Sequence, residues 1–437
     1  MGAFEITAIQ RELAKDNELG YPVLDAGRGN PNWINTKSRY AFIRLEEFAL
    51  KECQTTYSNK DMAGQAKLDG IGKRYRKFFK TNDKIDKFLI DSLNYCVNVL
   101  GLNEDELVKE LVDGIIGSYY PSPSRCLKNT EVILNAFLES TLYGSDKLTR
   151  ETKVFPTEGG SAAICYIFDS LNHNKLLKKG DKIAIATPIF TPYLQIPDVN
   201  NYGLVSVDVE TTAENNWEIN DEEIKKLEDN NVKAFFLVNP SNPSAHALSE
   251  DSIEKIKSVI EKNPNLIIIT DDVYGTFVND FKTLYSAIPY NTLLVYSFSK
   301  LYGATGWRIG LIAINEDNVF DKLISELSQE DKDFLNKEYS IVTTDPDNFP
   351  FCERLVADSR SIGLYHTSGL STPQQIFMDL LALSHLVVSE DEYIELSNEV
   401  INERYEALMN ALNLKPDPKN RQALKNACVI TWKTAIS

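Results

Sequence analysis

The sequence of 437 residues has few of the side chains that hold metal ions or form redox pairs. It contains only four histidines, and its six cysteines are scattered, with no Cys-x-x-Cys pair. A zinc knuckle or a dithiol motif therefore has no support, and the histidines do not have the spacing of metal ligands. We predict free thiols and no bound metal.

Basic residues and long apolar runs are also scarce. Sixty-three acidic residues outnumber 46 lysines and arginines, which gives a net charge of −17. Such a protein lacks the basic face that nucleic acids and anionic membranes require. No apolar run approaches a membrane span, and early charges such as Glu5 and Arg11 are unlike a signal peptide. We predict a cytoplasmic protein that binds neither nucleic acid nor membrane.

The pattern of apolar residues changes along the chain. Segments 39–57, 64–79 and 84–100 have the spacing of amphipathic helices. From about residue 129, short apolar runs alternate with amphipathic helices, which is typical of a mainly parallel sheet. We therefore predict an α/β protein with a helical N-terminal region at 1–128 and a helix-flanked sheet domain at 129–385.

Four predicted strands, at 182–187, 233–238, 266–270 and 292–298, are followed by chemically distinct side chains. These are an aromatic ring, an amide, a carboxylate and an amine, from Phe190, Asn242, Asp271 and Lys300. Each of them alone is more often an ordinary core, turn, cap or surface residue. Because parallel sheets bind ligands beyond the carboxyl ends of their strands, we expect all four at one edge.

The lysine and a glycine turn together indicate a covalent cofactor with an anionic group. A lysine at the end of a buried strand loses hydration, so Lys300 can form a Schiff base as a neutral amine. Gly159, Gly160 and Ser161 precede a helix, whose start favours an anion, and Arg308 follows the lysine by eight positions. The turn lacks the third glycine of a dinucleotide fingerprint and is not a P-loop.

This combination resembles the fold-type I pyridoxal-phosphate (PLP) enzymes of the aspartate aminotransferase superfamily. The resemblance implies that Lys300 binds the PLP aldehyde, that Asp271 holds the pyridine nitrogen and that Phe190 stacks on the ring. The other implied cofactor contacts are Tyr274 and Asn242 at the ring oxygen, and Gly159, Gly160, Ser161, Ser297 and Arg308 at the phosphate.

Three further segments make the resemblance narrower, namely RGNPNW at 28–33, YP at 120–121 with its following Pro123 and Arg125, and PIFTPY at 188–193. They resemble the aspartate 4-decarboxylases, also described as bifunctional aspartate aminotransferases and L-aspartate beta-decarboxylases. Taken alone, the first would be a plain turn. The family implies a homodimer or higher homo-oligomer. It also implies that Arg28 and Asn242 contact substrate, that Tyr120 reaches a neighbouring subunit's site, and that Thr367 shares the pocket.

The implied reaction is PLP-dependent β-decarboxylation of L-aspartate to L-alanine and carbon dioxide, with side transamination. A plain aspartate or amino-acid aminotransferase is the alternative enzyme, and a non-catalytic PLP-fold remnant is an alternative of another class. The remnant stays open because the small C-terminal domain, predicted at 386–437, is expected to be incomplete. Arg404 and Arg421 lie there, but no motif assigns either to the α-carboxylate.

Overall fold

The computed structural model describes residues 3–15, 29–120, 125–198, 202–387, 392–411 and 413. Within these ranges the chain forms 15 α-helices and nine β-strands. The helices are α1 Ala3–Lys15, α2 Thr36–Thr56, α3 Ile71–Phe78, α4 Lys84–Asn98, α5 Glu104–Ile115, α6 Lys128–Leu142, α7 Gly160–His173, α8 Asp221–Leu227, α9 Glu250–Lys262, α10 Leu284–Ala287, α11 Val319–Ser325, α12 Gln329–Tyr339, α13 Phe351–Asp358, α14 Thr372–Leu386 and α15 Glu392–Ala411. The strands are β1 Ser58–Asn59, β2 Met62–Ala63, β3 Thr152–Thr157, β4 Lys182–Thr187, β5 Val205–Glu210, β6 Val232–Val238, β7 Ile267–Asp271, β8 Thr292–Ser297 and β9 Gly310–Asn315.

Strands β3 to β9 form one sheet in the order β3-β9-β8-β7-β6-β4-β5. Pairing is parallel from β5 across to β8, whereas β9 runs antiparallel to both β8 and β3. The prediction of a mainly parallel sheet flanked by helices is confirmed. Strands β7, β8 and β9 are buried along their whole length, as expected when helices cover both faces of a sheet.

The two faces of the sheet pack against different helices. On β6, Phe235 and Leu237 pack in one cluster with residues of α8, α9 and α10, whereas Phe236 and Val238 belong to the larger core that contains α7. This division follows the two-residue period of a strand. Because β4, β6, β7 and β8 are parallel, their carboxyl ends meet at one edge of the sheet.

The sequence patterns at 39–57, 64–79 and 84–100 predict α2, α3 and α4, but they miss α5. Helix α3 begins only at Ile71, because Gly70 has a left-handed φ of 70° and the Asp105 carboxylate accepts its N–H at 2.8 Å. The missed helix, α5, begins after Asn103, whose side chain accepts the Glu106 N–H at 3.0 Å. An Asn followed by three acidic residues is the local signal for such a helix start.

The segment after Lys300 packs against the loop at 29–35. The Trp33 indole donates to the Leu301 carbonyl at 3.0 Å, and the Asn35 N–H donates to the Tyr302 carbonyl at 3.1 Å. At Gly303, which has a φ of 58°, a Cβ would lie 2.0 Å from the Trp33 oxygen. The loop and the lysine segment are thus held together. Among the described helices, none combines the length and apolarity needed to cross a membrane.

Candidate active site

A cavity of about 220 Å³ lies at the carboxyl edge of the sheet. It is surrounded by the segments that follow β4, β6, β7 and β8 and by the start of α7. Nine of the thirteen predicted site residues line it, namely Gly160, Ser161, Phe190, Asn242, Asp271, Tyr274, Ser297, Lys300 and Arg308. The sheet therefore brings together residues that are as many as 148 positions apart in the sequence, from Gly160 to Arg308.

Lys300 is half-buried and lies three residues beyond the end of β8. Its Nζ donates to the Gly29 carbonyl at 2.7 Å and lies 5.8 Å from the centre of the Tyr274 ring. Gly29 follows Arg28 in the RGNPNW segment and lines the same cavity. The amine is therefore in direct contact with the N-terminal loop at the wall of the cavity.

Asp271 ends β7 and is only 5% exposed. The Tyr193 hydroxyl donates to its Oδ2 at 2.7 Å, and the Val273 N–H donates to its Oδ1 at 3.2 Å. Burial raises the pKa of Asp271, while these two hydrogen bonds and the charge of Lys300 act in the opposite direction. Both carboxylate oxygens are thus fixed, which orients the group at the floor of the cavity.

The next residue, Asp272, is a second carboxyl group without any exposure to solvent. The Thr270 hydroxyl donates to its Oδ1. Burial raises the pKa of Asp272 to about 8, and the neighbouring Asp271 adds to the rise. The shift favours the neutral form of Asp272, which lies behind the cavity lining and not in it.

The start of α7 and Arg308 offer donors suited to an anion at one side of the cavity, which we call the anion-binding side. The first N–H groups of a helix have no acceptor within the helix, and here they belong to Gly160 and Ser161. Gly159, just before them, has a φ of 88°, and a Cβ at this position would lie 2.6 Å from Arg308 Nη2. Glycine is therefore required for the arginine to approach the helix start.

Arg308 and Ser297 complete this side. Arg308 has a left-handed φ of 52°, which is uncommon outside glycine and is often found at functional sites. Its Nη1 donates to the Thr305 carbonyl at 2.9 Å. The Ser297 hydroxyl lies 2.8 Å from that of Ser299, which also lines the cavity. Two hydroxyl groups and a guanidinium group therefore lie near the helix start.

Phe190, Asn242 and Tyr274 line the remaining wall. The Phe190 ring meets the Tyr193 ring in a T-shaped contact, with 5.2 Å between centroids, so the Phe190 ring is held against the protein. Burial raises the pKa of Tyr274, which keeps its hydroxyl a hydrogen-bond donor at neutral pH. This wall therefore offers an aromatic ring, an amide group and a phenol hydroxyl to a flat ligand with polar groups at its edge.

The structure does not bring every predicted residue into the cavity. Tyr120 is 79% exposed, with its ring 6.4 Å from that of His366. Thr367 is exposed, and its hydroxyl donates to the Leu364 carbonyl at 2.8 Å. Arg28 lies outside the described residues. The roles implied for these three residues stay predictions.

Of the two C-terminal arginines, Arg404 extends to the N-terminal loop. Its guanidinium group hydrogen-bonds the Asn32 side chain and lies 6.0 Å from the centre of the Trp33 ring. Arg421 lies outside the described residues. Arg404 is therefore next to the RGNPNW segment rather than in the lining of the cavity.

The most informative residue that sequence reasoning missed is Tyr193. It lies in the PIFTPY segment, three residues after Phe190, but a tyrosine there has no local feature that indicates a partner 78 residues away. Ser299 and Thr305 were missed as well, although both lie within the lysine segment. Their proximity to Lys300 in the sequence is the signal that could have found them.

Comparison with known proteins first defines a broad class. Residues 136–335 match the family model described as "Aminotransferase class I and II". The solved aspartate aminotransferase from Rhizobium meliloti superposes with a TM-score of 0.56 at 17% identity, over 94% of this chain and 74% of that one. At this identity the likeness shows the fold, which is that of the aminotransferases.

A closer relative identifies the family. The "Bifunctional aspartate aminotransferase and L-aspartate beta-decarboxylase" of Pseudomonas sp is 43% identical over 399 residues, which are 90% of this chain and 75% of the relative. The chain belongs to this family of bifunctional enzymes, and the predicted resemblance is confirmed. "Aspartate aminotransferase" from Pyrococcus abyssi is 34% identical over a shorter stretch of 142 residues, which covers 31% of this chain and 36% of that protein.

Proposed function

We propose that the protein is a PLP-dependent enzyme that removes the β-carboxylate of L-aspartate as carbon dioxide and releases L-alanine, with transamination of aspartate as a side reaction. The observation that carries the proposal is the meeting of Lys300, Asp271 and the start of α7 around one cavity. The Pseudomonas relative, at 43% identity, bears both activities in its name.

The residues present fit PLP in chemistry. The cofactor requires an amine for its aldehyde, a carboxylate for its ring nitrogen and donors for its phosphate. Lys300 offers the amine, and buried Asp271 is oriented by two hydrogen bonds. The helix start at Gly160 and the guanidinium group of Arg308 offer the donors. Arg308 can lie this close to the helix start because Gly159 has no Cβ. We therefore assign the cavity to PLP, with Phe190 against the ring.

When bound, PLP supplies an aldehyde that condenses with amines and a ring that accepts the electron pair released when a substrate bond breaks. Under the proposal, Asp271 keeps the ring nitrogen protonated, and Tyr274 and Asn242 donate to the ring oxygen. The Nζ of Lys300 takes the proton from Cα of aspartate. Overall, Cα regains a proton, the β-carboxylate leaves as carbon dioxide and Cβ takes up one proton in its place.

A plain aspartate aminotransferase remains the second candidate, because the Pyrococcus abyssi relative carries that name. The two functions differ in product. With L-aspartate, decarboxylation gives alanine and carbon dioxide, whereas transamination to a 2-oxo acid gives oxaloacetate. Measuring all three from one incubation decides between them, and oxaloacetate without carbon dioxide would favour the aminotransferase.

We further propose a homodimer or higher homo-oligomer in the cytoplasm. The 79% exposure of Tyr120 supports a role for this side chain in a neighbouring subunit's site. If so, a Tyr120→Phe variant mixed with a Lys300→Ala variant should regain activity through hybrid assemblies in which one site is intact. Light scattering of the purified protein measures the assembly itself.

The replacement of Lys300 by alanine tests the cofactor assignment. Borohydride reduction of the wild-type holoprotein should leave the cofactor mass on the peptide that contains Lys300. Lys300→Ala should still bind PLP through the anion-binding side, but it should carry no adduct and release neither alanine nor carbon dioxide. The control is Lys257→Ala, on α9, which should behave like wild type. A reduced adduct at another lysine of Lys300→Ala, or continued turnover, would overturn the assignment.

A further inference from the structure

Glu158 precedes Gly159, so it comes directly before the helix start assigned to the phosphate. Its side chain takes part in a closed set of three contacts, which we call the Glu158 cluster: Glu158, Tyr166 and Arg360. Arg360 Nη2 donates to Glu158 Oε1 at 2.7 Å, and the Tyr166 hydroxyl donates to Oε2 at 3.0 Å. Arg360 Nη1 in turn donates to the Tyr166 oxygen at 2.9 Å. The carboxylate is thus bound on both oxygens.

The negative charge of Glu158 lies next to the helix start that is assigned to an anionic phosphate, which is unfavourable unless the charge is compensated. The main-chain oxygen of Glu158 accepts from Arg308 Nη2 at 3.4 Å, so the same residue also contacts a guanidinium group assigned to the phosphate. A free negative charge here would repel a bound dianion. The side chains of Glu158 and Arg360 are 38% and 24% exposed, so solvent screens that repulsion only in part. Arg360 cancels it by supplying a positive charge at 2.7 Å.

The position of Arg360 is fixed by contacts other than Glu158. It lies two residues after Asp358, whose Oδ2 accepts the Ser170 hydroxyl at 2.6 Å and the Asn174 amide at 3.0 Å. Ser170 belongs to the last turn of α7, and Asn174 follows that helix. Asp358 therefore anchors this segment to the carboxyl end of α7, and the Arg360 guanidinium group extends from it to Tyr166 and Glu158.

We propose that Arg360 neutralises the charge of Glu158 and thereby preserves the preference of the site for a phosphorylated cofactor over its dephosphorylated form. The inference rests on the proposed function. Arg360 offsets the negative charge of Glu158, so that Arg308 and the helix dipole remain as the uncompensated charges near the helix start. Tyr166 contacts both members of the pair and holds them in place. Either charge without its partner would act on the charge of the phosphate, so the loss of one partner should leave the affinity for a cofactor without phosphate unchanged.

The test compares binding of PLP and of pyridoxal, which lacks the phosphate, to the cofactor-free protein. Arg360→Gln leaves the charge of Glu158 uncancelled, and PLP should bind about tenfold more weakly while pyridoxal binding is unchanged. Glu158→Gln should strengthen PLP binding alone. The double variant Glu158→Gln/Arg360→Gln should return the ratio of the two affinities to that of wild type. The effects should shrink as salt concentration rises.

Controls separate charge from folding. The remote pair Arg76 and Glu104, joined at 2.9 and 2.8 Å, provides a matched double variant to glutamine that should leave the ratio unchanged. Arg360→Lys keeps the charge and should bind PLP nearly as wild type does. If Arg360→Gln does not fold, Glu158→Gln and Arg360→Lys decide the question.

Two results would overturn the inference. The first is an equal loss of PLP and pyridoxal binding in Arg360→Gln with no restoration in the double variant, since this would show a role in folding alone. The second is unchanged selectivity in Glu158→Gln. A wild-type protein that carries no cofactor on Lys300 after reduction would instead refute the proposed function, and the inference with it.

Discussion

The buried Asp272 should make the stability of the protein depend on pH in a predictable direction. It has no solvent exposure, and its pKa is raised to about 8, mainly by burial. In the unfolded chain an aspartate has a pKa of about 3.9. Asp272→Asn keeps an acceptor for the Thr270 hydroxyl but cannot ionise, so it removes this one titration.

The sign follows from the protons bound in each state. Between about pH 4 and pH 8 the carboxyl group of Asp272 is protonated in the folded protein and ionised in the unfolded chain. Folding therefore takes up a proton, and the free energy of unfolding falls by about 1.4 kcal/mol for each pH unit of rise. The fall ends above about pH 8, where both states are ionised.

The assay is urea unfolding of cofactor-free wild type and Asp272→Asn at pH 6, 7, 8 and 9, because bound cofactor would add its own stabilisation. Groups that are not coupled to Asp272 titrate equally in the two proteins and cancel in the difference. The variant should gain about 2 kcal/mol over wild type between pH 6 and pH 8, and little more at pH 9. Parallel pH profiles would refute the reasoning, because they would mean that Asp272 is already ionised in the folded state.

Two more substitutions test the geometry of the site. Gly159→Ala should bind PLP at least tenfold more weakly, because its Cβ would lie 2.6 Å from Arg308 Nη2. The control is Gly180→Ala, which has a similar φ of 90° and an open surrounding, so it should lose about 1 kcal/mol of stability and no affinity. Tyr193→Phe removes the hydrogen bond of 2.7 Å to the Asp271 carboxylate. The variant should therefore lower kcat roughly tenfold and shift the absorbance of the bound cofactor. The control is Tyr202→Phe, which lies away from the cavity and should change neither. Equal cofactor affinities of the two glycine variants, or an unchanged spectrum in Tyr193→Phe, would contradict these assignments.

The strands and the residues that follow them could be predicted because their signals are local. A run of apolar residues that ends in polar ones marks a buried strand, and parallel strands end at one edge. This reasoning placed Phe190, Asn242, Asp271 and Lys300 together, and the structure has all four in one cavity. The predicted strand at 182–187 has the same bounds in the structure, as Lys182–Thr187.

Contacts between distant segments could not be predicted in the same way. The Glu158 and Arg360 pair spans 202 residues and depends on how α13 packs against α7. An arginine after a helix is, by sequence, an ordinary surface charge. The burial that raises the pKa of Asp272 is likewise a property of the packed sheet edge and not of the residue type.

The residues that the structure leaves outside the cavity differ in kind from those that line it. Tyr120 and Thr367 lie on connecting segments, where no strand register fixes the direction of a side chain. Their implied roles came from family resemblance, and for Tyr120 the resemblance concerned a neighbouring subunit. A residue that serves another subunit must be exposed in its own chain, and Tyr120 is. Its exposure therefore agrees with the resemblance, whereas Thr367 is exposed and does not line the cavity of its own chain, so its implied role stays a prediction.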